Sequence, residues 1–143
     1  MDCALFEAEG QFGVSICLCD SLGRLLQAHY MTFPYIATTT ECEATALQQA
    51  IQIALDKVAF ETDCQVVVNA LLNNSLFVNE LGSLLSNCRT LLSSSASYTL
   101  AFIRRQANRV AHNLARVSIL HASPSIFNHP PYCIHSLIMD EIK

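Results

Sequence analysis

Three carboxylates stand where chemistry could be done: Asp2 near the start of the chain, Glu43 about forty residues on, and Asp63 after a further apolar stretch. Hard cations such as Mg²⁺ or Mn²⁺ prefer carboxylate oxygens. Two such ions roughly 4 Å apart can stabilise both the attacking and the leaving oxygen of a phosphodiester displacement. Each residue also has an ordinary explanation. Asp63 can cap a helix starting at Cys64, Glu43 can answer a helix dipole, and Asp2 can be a solvated terminal residue. The joint placement, rather than any one of the three, points to a metal centre.

For these groups to meet, the intervening chain must fold them together. Met1 to Phe6, Phe12 to Cys19 and Arg24 to Tyr30 are strand-like, with turn chemistry at Glu9-Gly10 and at Asp20-Ser21-Leu22-Gly23. The first thirty residues therefore read as an antiparallel meander. Thr38-Thr39-Thr40 before Glu41 and Glu43 marks a helix start. Ala44, Leu47, Ala50, Ile51, Ala54 and Leu55 form one apolar stripe. Lys57 to Glu61 reads as a strand, and Cys64 to Leu72 as a helix. After the polar break Asn73-Asn74-Ser75 comes a second helix, from Glu80 to Leu92, ended by the serine run that begins at Ser93. Tyr98 to Arg104 alternates as a strand does, and Asn108 to Leu120 returns to helical spacing.

The order β-β-β-α-β-α-α-β-α predicts an α/β fold. Its mixed five-stranded sheet has three antiparallel strands, then parallel crossovers, with helices on both sides. Residues 1–122 read as one domain, and the Pro-containing residues 123–143 as a tail docked on the surface.

With 52% hydrophobic and 14% charged residues, the 143-residue chain can fill one core. It has neither an apolar run of the roughly 20 residues a membrane span needs nor a signal-type leader. A soluble protein in the cytoplasm or nucleus is expected, without membrane contact and as a monomer. Seven cysteines lie scattered without metal-ligand spacing and read as reduced core thiols. The net charge of −4 argues against tight non-specific binding to nucleic acid. Four of the eight basic residues, Arg104, Arg105, Arg109 and Arg116, nevertheless cluster and could form a basic edge or only a solvated helix face. Tyr30, Phe33 and Tyr35 after the hairpin fit packing better than stacking on bases.

The carboxylates sit in longer matching pieces: Asp2-Cys3-Ala4-Leu5-Phe6, the hairpin ending Cys19-Asp20-Ser21-Leu22-Gly23, Glu43-Ala44-Thr45-Ala46-Leu47, Phe60-Glu61-Thr62-Asp63-Cys64, and Arg105 through Arg116. In these pieces and their order the chain resembles the ribonuclease H-like domains common in plant proteins and related to those of retroelement reverse transcriptases. The resemblance implies cleavage of the RNA strand of an RNA–DNA hybrid, with two Mg²⁺ or Mn²⁺ ions held by Asp2, Glu43 and Asp63. It places Asn108 beside the site, Arg105 with it as a substrate contact, and His112 at the fourth acidic position of the family.

An imidazole there is a softer ligand that brings no negative charge, but it can donate or accept a proton near the leaving group. Simple packing of His112 on its helix is an equal alternative. Almost nothing precedes Asp2, which suggests that a longer ancestor lost its leading segment. The competing expectation is a catalytically weakened or inactive domain that keeps the fold and binds nucleic acid or a protein partner. Phosphate contacts would then weaken steeply with salt, whereas an apolar interface would not.

Overall fold

The computed structural model describes residues 1–54, 56–73, 77–120 and 124–128. The expectations for Leu55, Asn74, Ser75, Cys133 and most of the tail lie outside these residues. The elements run β1 (Asp2–Phe6), β2 (Gln11–Cys19), β3 (Leu25–Phe33), α1 (Thr39–Ile53), β4 (Ala59–Thr62), α2 (Gln65–Leu72), α3 (Glu80–Ser93), β5 (Thr99–Phe102), α4 (Arg109–Val117) and β6 (Ser125–Phe127). Through α4 the order is the expected one. Short 3-10 helices at Arg105–Asn108 and Ser118–Leu120 flank α4, so its regular part is shorter than the apolar spacing implied.

β1, β2 and β3 form the antiparallel meander, and the turn between β2 and β3 closes through Gly23 N–H donating to Asp20 O, with Gly23 in the left-handed region at φ 77°. β6 adds an antiparallel edge strand against β3, pairing Tyr30 with Ser125 and Ala28 with Phe127. β4 and β5 run parallel, Phe60 opposite Leu100. This pair meets the meander at the chain start, where the Met1 α-amino group donates to Glu61 O at 3.1 Å.

Strand alternation sends the two faces of β2 to different helices. Phe12, Val14 and Ile16 join Leu47, Ala50 and Ile51 of α1, Val67 of α2 and Leu85 of α3 in the larger core. Ala28 and Tyr30 of β3 instead pack with Leu114 of α4 and with Phe127. Each large apolar side chain buried in this way contributes about 1.5–3 kcal/mol. The aromatic residues after the hairpin pack as expected. Phe12 stacks on Phe33 at 4.9 Å and meets Tyr35 edge-on at 5.1 Å, and Tyr30 is buried.

Helix α1 starts at a reciprocal cap. Thr38 Oγ1 accepts from Glu41 N–H at 3.2 Å, and the Glu41 carboxylate accepts from Thr38 N–H at 2.7 Å. That use of Glu41 leaves Glu43, two residues further on, to point into the protein. On the opposite face α4 lies close against β2 because residue 13 is glycine. A Cβ there would stand 1.9 Å from Ser118 Oγ and 3.0 Å from Ala115 O. Ser15, two residues along, donates its hydroxyl to Ala111 O and fixes the register of α4 on the strand.

One expectation fails here. Cys3 of β1 and Cys42 of α1 are not reduced thiols but a disulfide, with Cα atoms 5.9 Å apart. Packing of α1 across the start of β1 brings together two cysteines separated by 39 residues, which spacing along the chain could not reveal. No helix among the described residues is long and apolar enough to cross a membrane.

Candidate metal centre

Strand β1 supplies Asp2, which pairs with Ser15 of β2 and is 1% exposed. Its Oδ1 accepts from Cys3 N–H at 2.7 Å, and its Oδ2 lies 2.9 Å from His112 Nδ1. α4, docked close by Gly13 and Ser15, thus delivers His112 onto Asp2 across 110 residues. The His112 side chain keeps 27% exposure, so the imidazole spans from a buried carboxylate toward solvent.

Glu43 comes from the first turns of α1 and is 4% exposed. Its Oε1 lies 3.4 Å from Cys3 Sγ, and its Oε2 has no hydrogen-bond partner. Donor atoms of Asp2, Cys3 and Glu43 all fall within 4.8 Å of one another. Burial pushes the Glu43 carboxyl up to about 9, helped by a hydrogen bond and like charge from Asp2 and by the charge of Asp63, and opposed by the Met1 amino group. The Glu43 carboxyl, dry and beside a like charge, therefore keeps its proton. A divalent cation removes that conflict. The oxygen donors and the orphaned Oε2 suit a hard ion such as Mg²⁺ or Mn²⁺.

Asp63 is placed differently. It follows β4, its charge reaches Glu43, and its side chain is largely covered, but its Oδ2 accepts from Arg105 Nε at 3.2 Å. Its oxygens are not among the mutually close donors. Arg105 itself is 68% exposed, and Arg104 and Arg109 are exposed on either side of it. This gives the rim of the centre a positive edge despite the net negative chain. Asn108 is buried at the end of the 3-10 helix before α4, and its Nδ2 donates to Met1 O at 2.8 Å. The start of β1 is thereby held from two sides, by Asn108 and by Glu61 O.

The structure thus brings Asp2 against both Glu43 and His112, keeps Asp63 and Arg105 paired at the rim, and seats Asn108 behind the chain start. Cys3 was missed as a neighbour of both buried carboxylates. Its only signal in the sequence is adjacency to Asp2, just as Cys42 is adjacent to Glu43.

No curated protein matches the sequence. Among solved structures, ribonuclease H1 from the halophilic archaeon Halobacterium salinarum NRC-1 has a similar fold. The TM-score is 0.72 at 22% sequence identity, over 82% of this chain and 92% of that one. The mixed sheet with helices on both faces is accordingly a ribonuclease H-like fold. Residues 2–118 match the model of the reverse transcriptase-like family, and the chain belongs to that family.

Proposed function

We propose that this protein hydrolyses the RNA strand of RNA–DNA hybrids, with Mg²⁺ or Mn²⁺ held by Asp2, Glu43 and Asp63. The observation that carries the reading is the buried pair Asp2 and Glu43, with Glu43 Oε2 lacking any partner, in a ribonuclease H-like fold of the reverse transcriptase-like family. When bound, two such ions supply Lewis-acid stabilisation of the charge that develops on the scissile phosphate.

The remaining work falls to side chains of the chain itself. Glu43 would give up its proton when the ions bind, and Asp2 and Glu43 provide a rigid floor, since strand pairing and helix packing fix both. Asp63 completes the carboxylate set from the rim. His112 orients Asp2 through the 2.9 Å contact and, being partly exposed, can hold or pass a proton at the leaving oxygen. Arg105 presents its exposed guanidinium to the phosphate backbone, and Asn108 contributes beside the start of β1. Hybrid recognition would rest on 2′-hydroxyls along the minor groove. The protein would act as a monomer.

A second reading has one specific observation in its favour. Asp63 Oδ2 is bound to Arg105 rather than turned to the other carboxylates. A domain that binds hybrid without cutting it would also fit that arrangement, with a binding constant that falls steeply with salt. The deciding experiment is cleavage of an end-labelled RNA strand annealed to DNA, in Mg²⁺ and separately in Mn²⁺, with Asp63→Asn as control. Cleavage by the parent protein and its loss in the control are expected. A folded parent that cuts in neither ion would overturn the hydrolytic reading and leave the binding one.

A further inference from the structure

The pair of cysteines that cross-links β1 to α1 is flanked by the pair of carboxylates. Cys3 directly follows Asp2, and Cys42 directly precedes Glu43. Of the two sulfurs, only that of Cys3 joins the close donor group with Asp2 and Glu43. Its distance of 3.4 Å from Glu43 Oε1 already matches one edge of a tetrahedral zinc site. Bonds of about 2.3 Å to sulfur and about 2.0 Å to oxygen at a tetrahedral angle put those two atoms roughly 3.5 Å apart. Glu43 Oε2, buried and without a hydrogen-bond partner, is a second observation that points to a cation site at this place. While the sulfur is tied to Cys42 it offers no thiolate, and the donors left are oxygens.

We infer that reduction of the Cys3–Cys42 bond converts this centre into a thiolate–carboxylate site for a borderline-soft divalent ion such as Zn²⁺, formed by Cys3, Asp2 and Glu43. The inference rests on the reading of Asp2 and Glu43 as metal ligands. Oxidised, the centre offers oxygen donors suited to Mg²⁺ or Mn²⁺. Reduced, its set of one sulfur and carboxylate oxygens favours Zn²⁺, because thiolates select softer ions. The redox state of one cysteine pair thereby decides which class of cation the centre holds.

The chemistry balances with a phosphine as reductant. The phosphine is oxidised to its oxide with oxygen from water, the S–S bond breaks, and the two sulfurs take up two electrons and two protons. On metal binding the Cys3 S–H bond and the Glu43 O–H bond break, both protons pass to the buffer, and metal–sulfur and metal–oxygen bonds form. Cys42 stays a thiol.

Co²⁺ is the probe, because a thiolate ligand gives it a charge-transfer band in the near ultraviolet. The whole chain, purified and compared before and after phosphine treatment, should gain two titratable thiols and develop the band only after treatment. Cys42→Ser, whose Cys3 is free from the start, should show the band without reductant. Reduced Cys3→Ser should lack it and bind Zn²⁺ more than about tenfold more weakly in competition. Cys64→Ser, beside Asp63, should retain it. Near-ultraviolet circular dichroism and thermal melts establish that each variant is folded.

A band that survives Cys3→Ser, no band on reduction, or no gain of thiols would each overturn the inference. Mn²⁺ binding to the untreated chain, followed by electron paramagnetic resonance, separates the two levels. Binding that Asp2→Asn abolishes, with no cobalt band in any sample, sinks the thiolate site alone. Absence of Mn²⁺ binding as well sinks the carboxylate reading beneath it.

Discussion

Asp2 and Glu43 on one side of the centre, and Asp63 on the other, are held by different means. Asp2 is locked by strand pairing with Ser15, by its own neighbour's N–H and by His112, and Glu43 is fixed by α1 packed over the same strand. Apart from the partly exposed His112 these supports are buried. Asp63 leaves a four-residue strand and is held by one exposed arginine. The inner half is therefore fixed by the fold itself, at the cost of crowding two carboxyl groups. The outer half is more loosely constrained, with the Asp63 carboxylate turned to Arg105. Preorganisation is strong where burial supplies it and weak where a single ion pair to an exposed arginine supplies it.

The contrast can be broken most directly at the ligands themselves. If the inner pair holds the ions, Asp2→Asn or Glu43→Ala should lower hybrid cleavage by more than about a hundredfold, the loss expected when several kcal/mol of charge stabilisation go. Asp63→Asn should do the same, but with native-like melting, because the outer half carries little of the fold. Single-turnover cleavage and thermal melts on the same samples check both halves of that statement. Equal destabilisation by all three would erase the distinction.

The next effect in size tests what supports the inner half. Leu114 of α4 is fully buried against Ala28 and Tyr30 on the face that delivers His112. Leu114→Ala should cost about 2–5 kcal/mol in chemical denaturation. Asp2 should lose its imidazole contact to the same extent, seen as a changed His112 resonance.

A smaller, pH-dependent effect sharpens the cost of crowding. The folded-state carboxyl of Glu43 is raised to about 9 from 4.5, mainly by burial. A raised value means that the stability contributed by the neutral form is complete below the unfolded value and is lost as pH climbs through the folded one. Glu43→Gln stays neutral throughout. It should match the parent near pH 4 and exceed it increasingly toward pH 9, by about 1–3 kcal/mol, when no metal is added. Melts across that range that run parallel for the two proteins would show that Glu43 is not crowded.

The smallest effect belongs to the rim. Because the Arg105 partner of Asp63 is 68% exposed, Arg105→Ala should change stability by no more than about 1 kcal/mol. Weaker hybrid binding with a shallower salt slope should accompany it. A large loss of stability instead would make the outer half as rigid as the inner one.

Much of the scaffold was legible along the chain because its determinants are local. The apolar steps of α1, the threonines before it and the Gly23 turn each act within a few residues, and the order from β1 to α4 follows from them. The two glutamates at the start of α1 show where such reading stops. Glu41 and Glu43 both suit a helix N-terminus, and only the cap geometry separates the one that closes the helix from the one that enters the protein. Asp63 was legible as a candidate, but its pairing with Arg105 spans 42 residues and depends on where the turn after β5 lands.

The sequence alone determined the residue types at the candidate centre, the alternation of strands and helices that carries them, and the oxygen-rich character of its donor set. Tertiary structure decided which of them touch. Periodicity and capping are set by neighbours in the chain, whereas the approach of Asp2 to His112, of Cys3 to Cys42 and of Glu43 to both Asp2 and Cys3 depends on how two helices dock on opposite faces of one sheet. That docking follows from close packing at Gly13, Ser15 and Leu114, contacts that exist only once the chain has folded.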